Sequence, residues 1–389
     1  MPDGGLFRAE RYRDVHLYQG FAHAVFDGRA PYRDFFMEYP PGALAVFLPP
    51  AAVPGHYNAA FKALMALCGI ATLLLVALLL ARLGASRARL YTGVALFALS
   101  PLALGPISLN TYDAWPALLV LAALLAVIAG LPALSFALLG LAFAAKVYPL
   151  VVVPPALVFV WRTMGRRGAI RAGAAFAVSV AVFVGPFLVL APHGLAQSFR
   201  AQAERGLQVE SLGGSLLAVA DRLDLYSATV VHRTGHAISY ELTGSLPDAL
   251  AALSSAVQIA VVLLVAWLYV RRRDDPARLT YAFAAAVAGF LAFTRFFSPQ
   301  YLAWLVPLVV LLGPDAWVVT AVALALAQIW FFHYANVFAL GGYVWLVLAR
   351  DLLVVCLFGV AVRALLGRGA PEHEDAVLLE DEAPLRVPS

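Results

Sequence analysis

Four carboxylates lie in a long polar segment near the start of the chain, and they are the groups best suited to do chemistry. The segment, residues 11–41, carries Asp14, Asp27, Asp34 and Glu38 among aromatic side chains. A carboxylate can take up a proton during a reaction. Because the sequence that follows is mostly apolar, we interpret the segment as one that is held against one face of a bilayer, where it does the chemistry.

Composition identifies the chain as an integral membrane protein. Of its 389 residues, 62% are hydrophobic and 13% are charged, whereas soluble domains carry about 25% charged residues. The basic residues behind the net charge of +4 cluster in short loops, which indicates cytoplasmic loops and no nucleic-acid binding. Cys68 and Cys356 lie in apolar runs and predict no disulfide framework.

Three arginine-rich loops, at residues 82–89, 161–171 and 271–278, set the expected topology. If all three face the cytoplasm, an even number of spans must separate each pair. The fold class that follows is all-α and polytopic, with about 11 transmembrane helices. We expect spans at 57–81, 91–109, 111–130, 132–145, 147–161, 170–191, 248–270, 279–297, 301–313, 315–334 and 343–366. For 131–161, the alternative to two short helices is one long helix kinked at its prolines.

This topology divides the chain into alternating regions. Residues 1–56 form an extracytoplasmic catalytic loop with an interfacial helix at 42–54, and 57–191 form a first transmembrane bundle. Residues 192–247 form a second extracytoplasmic loop with an amphipathic helix, 248–366 form a second bundle, and 367–389 form a disordered cytoplasmic tail. Because no apolar segment precedes the first loop, we expect the biological start to lie upstream, with a first span missing.

Ionisable and polar residues from several distant segments are expected at the same, outer face. A charge at the centre of a span costs roughly 2.5–3.5 kcal/mol, and groups at span ends avoid most of that cost. Convergence of so many groups predicts a polar cavity that opens to the outer leaflet and is capped by loop helices. The residues are Asp14, Asp34, Glu38, Asp113, Lys146, Arg205, Glu210, Arg295, Gln300 and His333.

Four sequence patches resemble a known enzyme family. Asp14 and Tyr18, followed by GRAPYRD at 28–34 and EYPP at 38–41, are similar to the first outer loop of GT-C glycosyltransferases. AKVYP at 145–149, RGLQVESL at 205–212 and SPQYLAW at 298–304 agree with the same family in the same order. The chain most resembles family 87, the polyprenyl-phosphate-mannose-dependent mannosyltransferases of the outer membrane leaflet and their relatives.

The resemblance implies a GT-C-like fold and an inverting transfer of a hexose, with mannose as the first candidate. The donor would be a polyprenyl-phosphate-linked sugar and the acceptor a lipid or glycan. Asp14 would be the general base, and Lys146, Arg295 and Arg205 would bind the donor phosphate. Sugar and acceptor contacts would come from Asp34, Glu38, Tyr39, Asp113, Tyr148, Glu210 and Gln300. Tyr32, Tyr39, Tyr148 and Trp304 could stack on sugar rings or lie at the membrane interface.

No cofactor is expected, and no spacing identifies metal ligands, although a divalent metal stays open. The partners are the sugar donor, the acceptor and membrane lipids. The expected location is the inner, plasma membrane of a bacterium, with the active site facing the extracytoplasmic side.

Other interpretations of these residues stay open. Asp34 could pair with a neighbouring arginine, Lys146 could reach the lipid headgroups from a helix end, and Arg205 could bridge to Glu210. The chain could also be a secondary transporter or lipid flippase, which a charged pair near the middle of the membrane would favour. A catalytically inactive or scaffolding relative is a third possibility.

Overall fold

The computed structural model describes residues 14–233, 239–271 and 275–367. Within them the chain is built from α-helices, which confirms the predicted all-α, polytopic fold class. The expected missing span and the expected disordered tail fall outside these residues. The helices are α1 (Asp14–Phe26), α2 (Leu44–Phe47), α3 (Tyr57–Arg82), α4 (Arg87–Leu104), α5 (Ile107–Asn110), α6 (Ala114–Ile128), α7 (Pro132–Ala145), α8 (Val153–Leu190), α9 (Pro192–Ala203), α10 (Leu212–Arg222), α11 (Ser245–Val270), α12 (Pro276–Ala292), α13 (Leu302–Leu312), α14 (Pro314–Phe331), α15 (Tyr334–Phe338) and α16 (Val344–Leu366).

Five of the described helical segments are long and apolar enough to cross a membrane. They are α3, Tyr148–Leu190, α11, α14 and α16. Shorter apolar helical segments fill the positions of the other predicted spans: Ala114–Ile128, Pro132–Ala145, Pro276–Ala292 and Pro299–Leu312. The chain is therefore a polytopic membrane protein, and the count of about 11 crossings stays a prediction.

The segment Tyr148–Leu190 contains two of the predicted spans. Gly165 has φ 70° and ψ −174°, a conformation that glycine adopts readily and that interrupts the helix. A Cβ placed on Gly168 would lie 3.5 Å from Val160, so the chain turns back on itself there. Both ends of the segment consequently lie at one face, where Tyr148 stacks on Trp304 and Phe187 packs against Tyr32.

A break separates this segment from α7, as expected for two helices and not one. Helix α7 ends at Ala145, and Lys146 has an extended backbone with φ −158° and ψ 144°. A 3-10 helix, Tyr148–Val152, then leads into α8. The interfacial helix predicted at 42–54 is also broken. It consists of α2 between two 3-10 turns, Pro41–Ala43 and Pro49–Ala52, because its prolines cannot continue a regular helix.

The arginine-rich loops meet the helix ends that the expected topology places beside them. Arg89 donates to the carbonyl of Leu311 at 2.8 Å, and Arg278 donates to that of Gly367 at 3.2 Å. Arg162 donates to the carbonyl of Val270. Each arginine thus satisfies a carbonyl at a helix C-terminus, where positive charge is favourable. These contacts agree with the predicted order of helix directions.

The loop between the two bundles contains more regular structure than expected. The predicted amphipathic helix is present as α10, but three strands were missed: β1 (Leu207–Gln208), β2 (Thr229–Arg233) and β3 (Ser239–Thr243). They form an antiparallel sheet in the order β1-β3-β2, with Gln208 opposite Glu241. A two-residue strand such as β1 has too little alternation to be recognised from sequence.

An aromatic core holds the N-terminal segment onto the first bundle. Tyr18 of α1 stacks on Phe47 of α2 at 4.2 Å between ring centroids, and its edge meets Tyr112 at 5.7 Å. Nearby, Gly42 allows the chain to touch the end of α7. A Cβ on Gly42 would lie 2.6 Å from the carbonyl carbon of Ala144, two residues before Lys146.

Gly42→Ala is expected to destabilise the protein, because backbone atoms at Ala144 and Ala145 leave no space for a methyl group. Overpacking of this kind costs about 1–3 kcal/mol. The measurement is the thermal unfolding midpoint in detergent. Gly69→Ala in α3 is the matched control, since no heavy atom surrounds its added Cβ. Equal midpoints for the two variants would contradict the close approach.

Candidate active site

A buried ion pair joins two segments that are far apart in the sequence. The Nζ of Lys146 lies 2.5 Å from Oδ1 of Asp113, and the indole N–H of Trp304 donates to the same oxygen at 2.6 Å. Asp113 is fully buried and directly precedes α6, but it does not cap that helix. Its second oxygen, Oδ2, has no hydrogen-bond partner among the described residues. A buried acceptor without a partner is suited to bind a hydroxyl group.

Aromatic rings surround the Lys146 ammonium group. Its Nζ lies 4.6 Å from the ring centroid of Tyr112 and 5.0 Å from those of Tyr301 and Trp304. The negative faces of such rings attract a cation. The ion pair and the rings together fix a positive charge at one point, with 13% of the lysine side chain exposed. A lysine that reaches the lipid headgroups from a helix end would not need these fixed contacts, so they favour a binding role for Lys146 over that alternative.

Three of the aromatic residues form a stack. Trp304 lies between Tyr148, at 4.0 Å and 4° between planes, and Tyr301, at 4.2 Å and 20°. Two parallel rings at these distances must cover opposite faces of the indole, which leaves no face of Trp304 for a sugar. The expectation that Trp304 stacks on a sugar is therefore wrong. The hydroxyl of Tyr148 is buried without a hydrogen-bond partner among the described residues. We therefore expect Tyr148 to contact a substrate through its hydroxyl group.

Asp14, the predicted base, interacts electrostatically with this ion pair. It begins α1 and interacts electrostatically with Tyr18, Glu38, Asp113 and Lys146. Removal of its carboxylate from water is the main cause that raises its pKa to about 7, and the charges of Glu38 and Asp113 add to the rise. Lys146 and Tyr18 act in the opposite direction. Asp14 is thus a carboxylate that exchanges its proton near neutral pH.

Arg205 and Glu38 complete the group. The guanidinium of Arg205 lies 3.3 Å from Oε2 of Glu38 and 3.9 Å from the ring centroid of Phe296. Burial raises the pKa of Glu38, while Arg205 and Lys146 lower it. We call Asp14, Glu38, Asp113, Lys146 and Arg205 the charged cluster. It contains three carboxylates and two cations.

The comparison with known families agrees with this geometry. The family model described as glycosyltransferase family 87 matches residues 36–299. The chain belongs to glycosyltransferase family 87. It is therefore a membrane glycosyltransferase. No curated protein compared with the chain matches it.

The match to family 87 covers part of the charged cluster. Glu38, Asp113, Lys146 and Arg205 lie within the matched residues, whereas Asp14 precedes them. The family match supports sugar transfer for the chain and does not itself assign a base. The role of Asp14 depends on its position in the structure and on the sequence resemblance.

Other predicted site residues have different partners. Asp34 is bound 2.9 Å from Arg33 and accepts from the backbone N–H of Ala30 at 2.7 Å, contacts that lower its pKa to about 2. These contacts lie in an exposed turn, as in the simpler interpretation of Asp34. Arg295 donates to the carbonyl of Ala203 and not to Asp113, the ion-pair partner of Lys146. Gln300 accepts from Ser298 at 2.7 Å.

Three further predicted residues lie at the edge of the cluster or beyond it. Tyr39 packs edge-on to Tyr112 at 5.3 Å, and its carbonyl accepts from the hydroxyl of Tyr32 at 2.5 Å. Glu210 accepts from Gln208, so the pairing of Glu210 with Arg205 considered from the sequence is wrong. Outside the cluster, His333 stacks on Tyr343.

Two buried charges in α16 were missed by the sequence analysis. Arg350 and Asp351 are 0% and 1% exposed. The signal was present, because adjacent arginine and aspartate residues in an apolar helix require partners. Among the described residues, no group of three or more histidine, cysteine, aspartate or glutamate side chains could hold a metal ion.

Glu38→Gln is expected to lower the pKa of Asp14 below about 7, because it removes the largest charge effect that raises this pKa. Lys146→Met is expected to raise it, because the ammonium group favours the ionised carboxylate. Titration of ¹³C-labelled aspartate by NMR measures both shifts, with assignment from an Asp14→Asn sample. Asp34→Asn is the control, since Asp34 is bound to Arg33 and Ala30 and does not contribute to the pKa of Asp14. A pKa that is the same in the Glu38→Gln protein would show that the two carboxylates do not interact.

Proposed function

We propose that the protein transfers a hexose, with mannose as the first candidate, from a polyprenyl-phosphate donor to a lipid or glycan acceptor. The transfer inverts the anomeric configuration and takes place at the extracytoplasmic face of a bacterial plasma membrane. The observation that carries the proposal is the charged cluster, in which a carboxylate with a pKa of about 7 interacts with a fixed lysine.

Asp14 is the proposed general base. In an inverting displacement the ionised carboxylate takes the proton from an acceptor hydroxyl. That oxygen bonds to the anomeric carbon, and the bond from this carbon to the phosphate oxygen breaks with its electron pair. A base is most effective when its pKa lies near the working pH, because it is then both ionised and sufficiently basic. The pKa of about 7 for Asp14 meets this requirement.

Lys146 and Arg205 are proposed to stabilise the polyprenyl phosphate that leaves. Fixed cations lower a barrier most when they are already in place before charge develops. Lys146 is fixed by Asp113 and three rings, and Arg205 is fixed by Phe296 and Glu38. The Nε of Arg205 has no partner among the described residues and is available to a phosphate oxygen. Arg295 is the weaker candidate, since its guanidinium already donates to Ala203.

Polar atoms beside the cations can bind the sugar. The Oδ2 of Asp113 and the hydroxyl of Tyr148 are both buried without partners among the described residues. A carboxylate oxygen accepts from a sugar hydroxyl, and a tyrosine hydroxyl can donate or accept. The two atoms flank Trp304, because its ring is stacked on Tyr148 and its N–H is bound to Asp113.

A transporter is less well supported. Arg350 lies six residues from the start of α16, about 9 Å along a helix that is about 34 Å long. The buried pair therefore lies about half-way between the start and the middle of the helix. Its contacts are to protein groups of the extracytoplasmic loop, Glu210 and Ser215, so the structure gives the pair an internal partner and not a substrate. Substrate groups of transporters lie typically near the midplane.

Asp14→Asn is expected to lower kcat for transfer by about 10²–10⁴-fold, the usual contribution of a general base. In the unchanged protein, kcat/KM should rise tenfold per pH unit below about 7 and become constant above it, because only ionised Asp14 accepts a proton. Membranes or purified protein incubated with labelled polyprenyl-phosphate mannose and a lipid extract provide the assay.

Asp27→Asn, in the exposed turn after the same helix, is the control for Asp14→Asn and should keep full activity. Normal transfer by a correctly folded Asp14→Asn protein would exclude Asp14 as the base.

Lys146→Met is expected to reduce kcat/KM for the donor by at least 100-fold, because it removes one of the two cations proposed to stabilise the leaving phosphate. In the single variant, Asp113 would be left as an unpaired buried carboxylate, which could unfold the protein. The double variant Lys146→Met with Asp113→Asn removes that charge, so a low kcat/KM in a folded double variant is due to the missing cation. Lys62→Met is the matched control, since Lys62 is the other lysine of the chain and lies in α3. Equal donor kinetics for the Lys146 and Lys62 variants would contradict the phosphate role.

A further inference from the structure

Arg350 and Asp351 form a buried ion pair that the proposed transfer reaction does not use. The Nε of Arg350 lies 2.8 Å from Oδ1 of Asp351, and both side chains are almost fully buried. Placing charges in an apolar helix is costly unless they have fixed partners. The partners of this pair therefore indicate its role.

Both charges bind one segment of the extracytoplasmic loop. Arg350 donates to the carbonyl of Glu210 at 2.7 Å, and Asp351 accepts from the hydroxyl of Ser215 at 2.7 Å. Between these two points, Ser211 caps α10 by accepting from the N–H of Gly214 at 3.2 Å. The start of α10 is thus attached to the outer end of α16 on both sides.

The loop segment that Arg350 and Asp351 bind is also attached to residues 295–297, on which Arg205 packs. The N–H of Gln208 donates to the carbonyl of Arg295 at 3.0 Å, and its side-chain oxygen accepts from the N–H of Phe297 at 2.8 Å. The guanidinium of Arg350 lies 4.1 Å from the ring of Phe297, while that of Arg205 lies 3.9 Å from the adjacent ring of Phe296. Two arginines are therefore held on successive phenylalanines.

We propose that Arg350 and Asp351 are positioning residues that hold residues 205–215 and 295–297 together, and so place Arg205 beside the donor phosphate. This inference rests on the proposed function for the role of Arg205. The pair touches neither Asp14 nor Lys146 in the described contacts, so it acts on donor binding through Arg205 and leaves proton transfer unchanged.

Arg350→Met is the first test. The donor KM should rise at least fivefold, and kcat should fall as well, because Arg205 is also proposed to stabilise the leaving phosphate. The acceptor KM and the pH profile of kcat/KM should keep their values. Arg363→Met is the control on the same helix, since Arg363 is exposed near the other end. A donor KM equal to that of the unchanged protein, or an equal rise in the Arg363→Met protein, would overturn the proposal.

A double variant separates positioning from folding. Arg350→Met with Asp351→Asn removes both charges and leaves no buried charge unpaired, so the thermal midpoint should return toward that of the unchanged protein. The donor KM should stay raised, because the bond to Glu210 is still absent. A donor KM restored together with stability would show that an unpaired charge, and not lost positioning, caused the effect.

Hydrogen exchange tests the attachment without any activity assay. The N–H groups of Ser211 and Ser215 are hydrogen bonded within the attached segment. Their exchange should be at least tenfold faster in Arg350→Met than in the unchanged or Arg363→Met protein. Unchanged exchange would overturn the proposal. Absence of transfer from every polyprenyl-phosphate hexose by the unchanged protein would instead contradict the proposed function, and the exchange result would still stand.

Discussion

The ion pair between Asp113 and Lys146 is the interaction on which the charged cluster depends. It joins the start of α6 to the break after α7, and the bond from Trp304 adds the start of α13. Each partner is held in place by the other and by surrounding rings, so neither charge can relax away from the site. A fixed charge at a protected position is what an enzyme needs to stabilise a developing anion.

Removal of the Asp14 carboxylate from water is the main cause that raises its pKa, and the balance of charges around this pair adds to the effect. With Glu38 and Asp113 nearby, a third ionised carboxylate is unfavourable, and Lys146 compensates for only part of the repulsion. Asp14 therefore holds its proton to a higher pH than an exposed aspartate does. The same interactions mean that a change to Glu38, Asp113 or Lys146 alters the proton affinity of Asp14.

Several features followed from the sequence because they depend on local or summed properties. Hydropathy was enough for the polytopic fold, since membrane insertion responds to this quantity, while the directions of the helices that the arginines indicate stay a prediction. The Tyr148-Pro149 pair after Lys146 was enough to place the break after α7. The expectation that Asp14, Glu38, Lys146 and Arg205 lie at the same face followed from the predicted topology together with the family resemblance.

The partners of individual side chains could not be predicted in the same way. Arg205 binds Glu38 and not Glu210, and Arg295 turns toward Ala203, because these choices depend on how distant segments dock. The exposed turn of Asp34 and the small sheet form mostly between residues that are near each other in the sequence. The sequence patterns that would predict them are too short to be unambiguous. Arg350 and Asp351 were visible as an anomaly in an apolar helix, and only their contacts explain why they are there.

Gly165 divides α8 into two helical arms of unequal length, a short one before it and a long one after it. The length of the second arm affects how deeply α8 lies in the bilayer. The arm at residues 166–190 spans about 37 Å as a helix, more than the roughly 30 Å of a hydrocarbon layer, so it must tilt or emerge. Because α9 follows directly, an emerging arm would carry Arg205 to the level of the lipid headgroups. The phosphate of a lipid-linked donor, as proposed above, would rest at that level while its isoprenoid chain stays in the hydrocarbon layer, so such a donor would reach the cations by lateral diffusion.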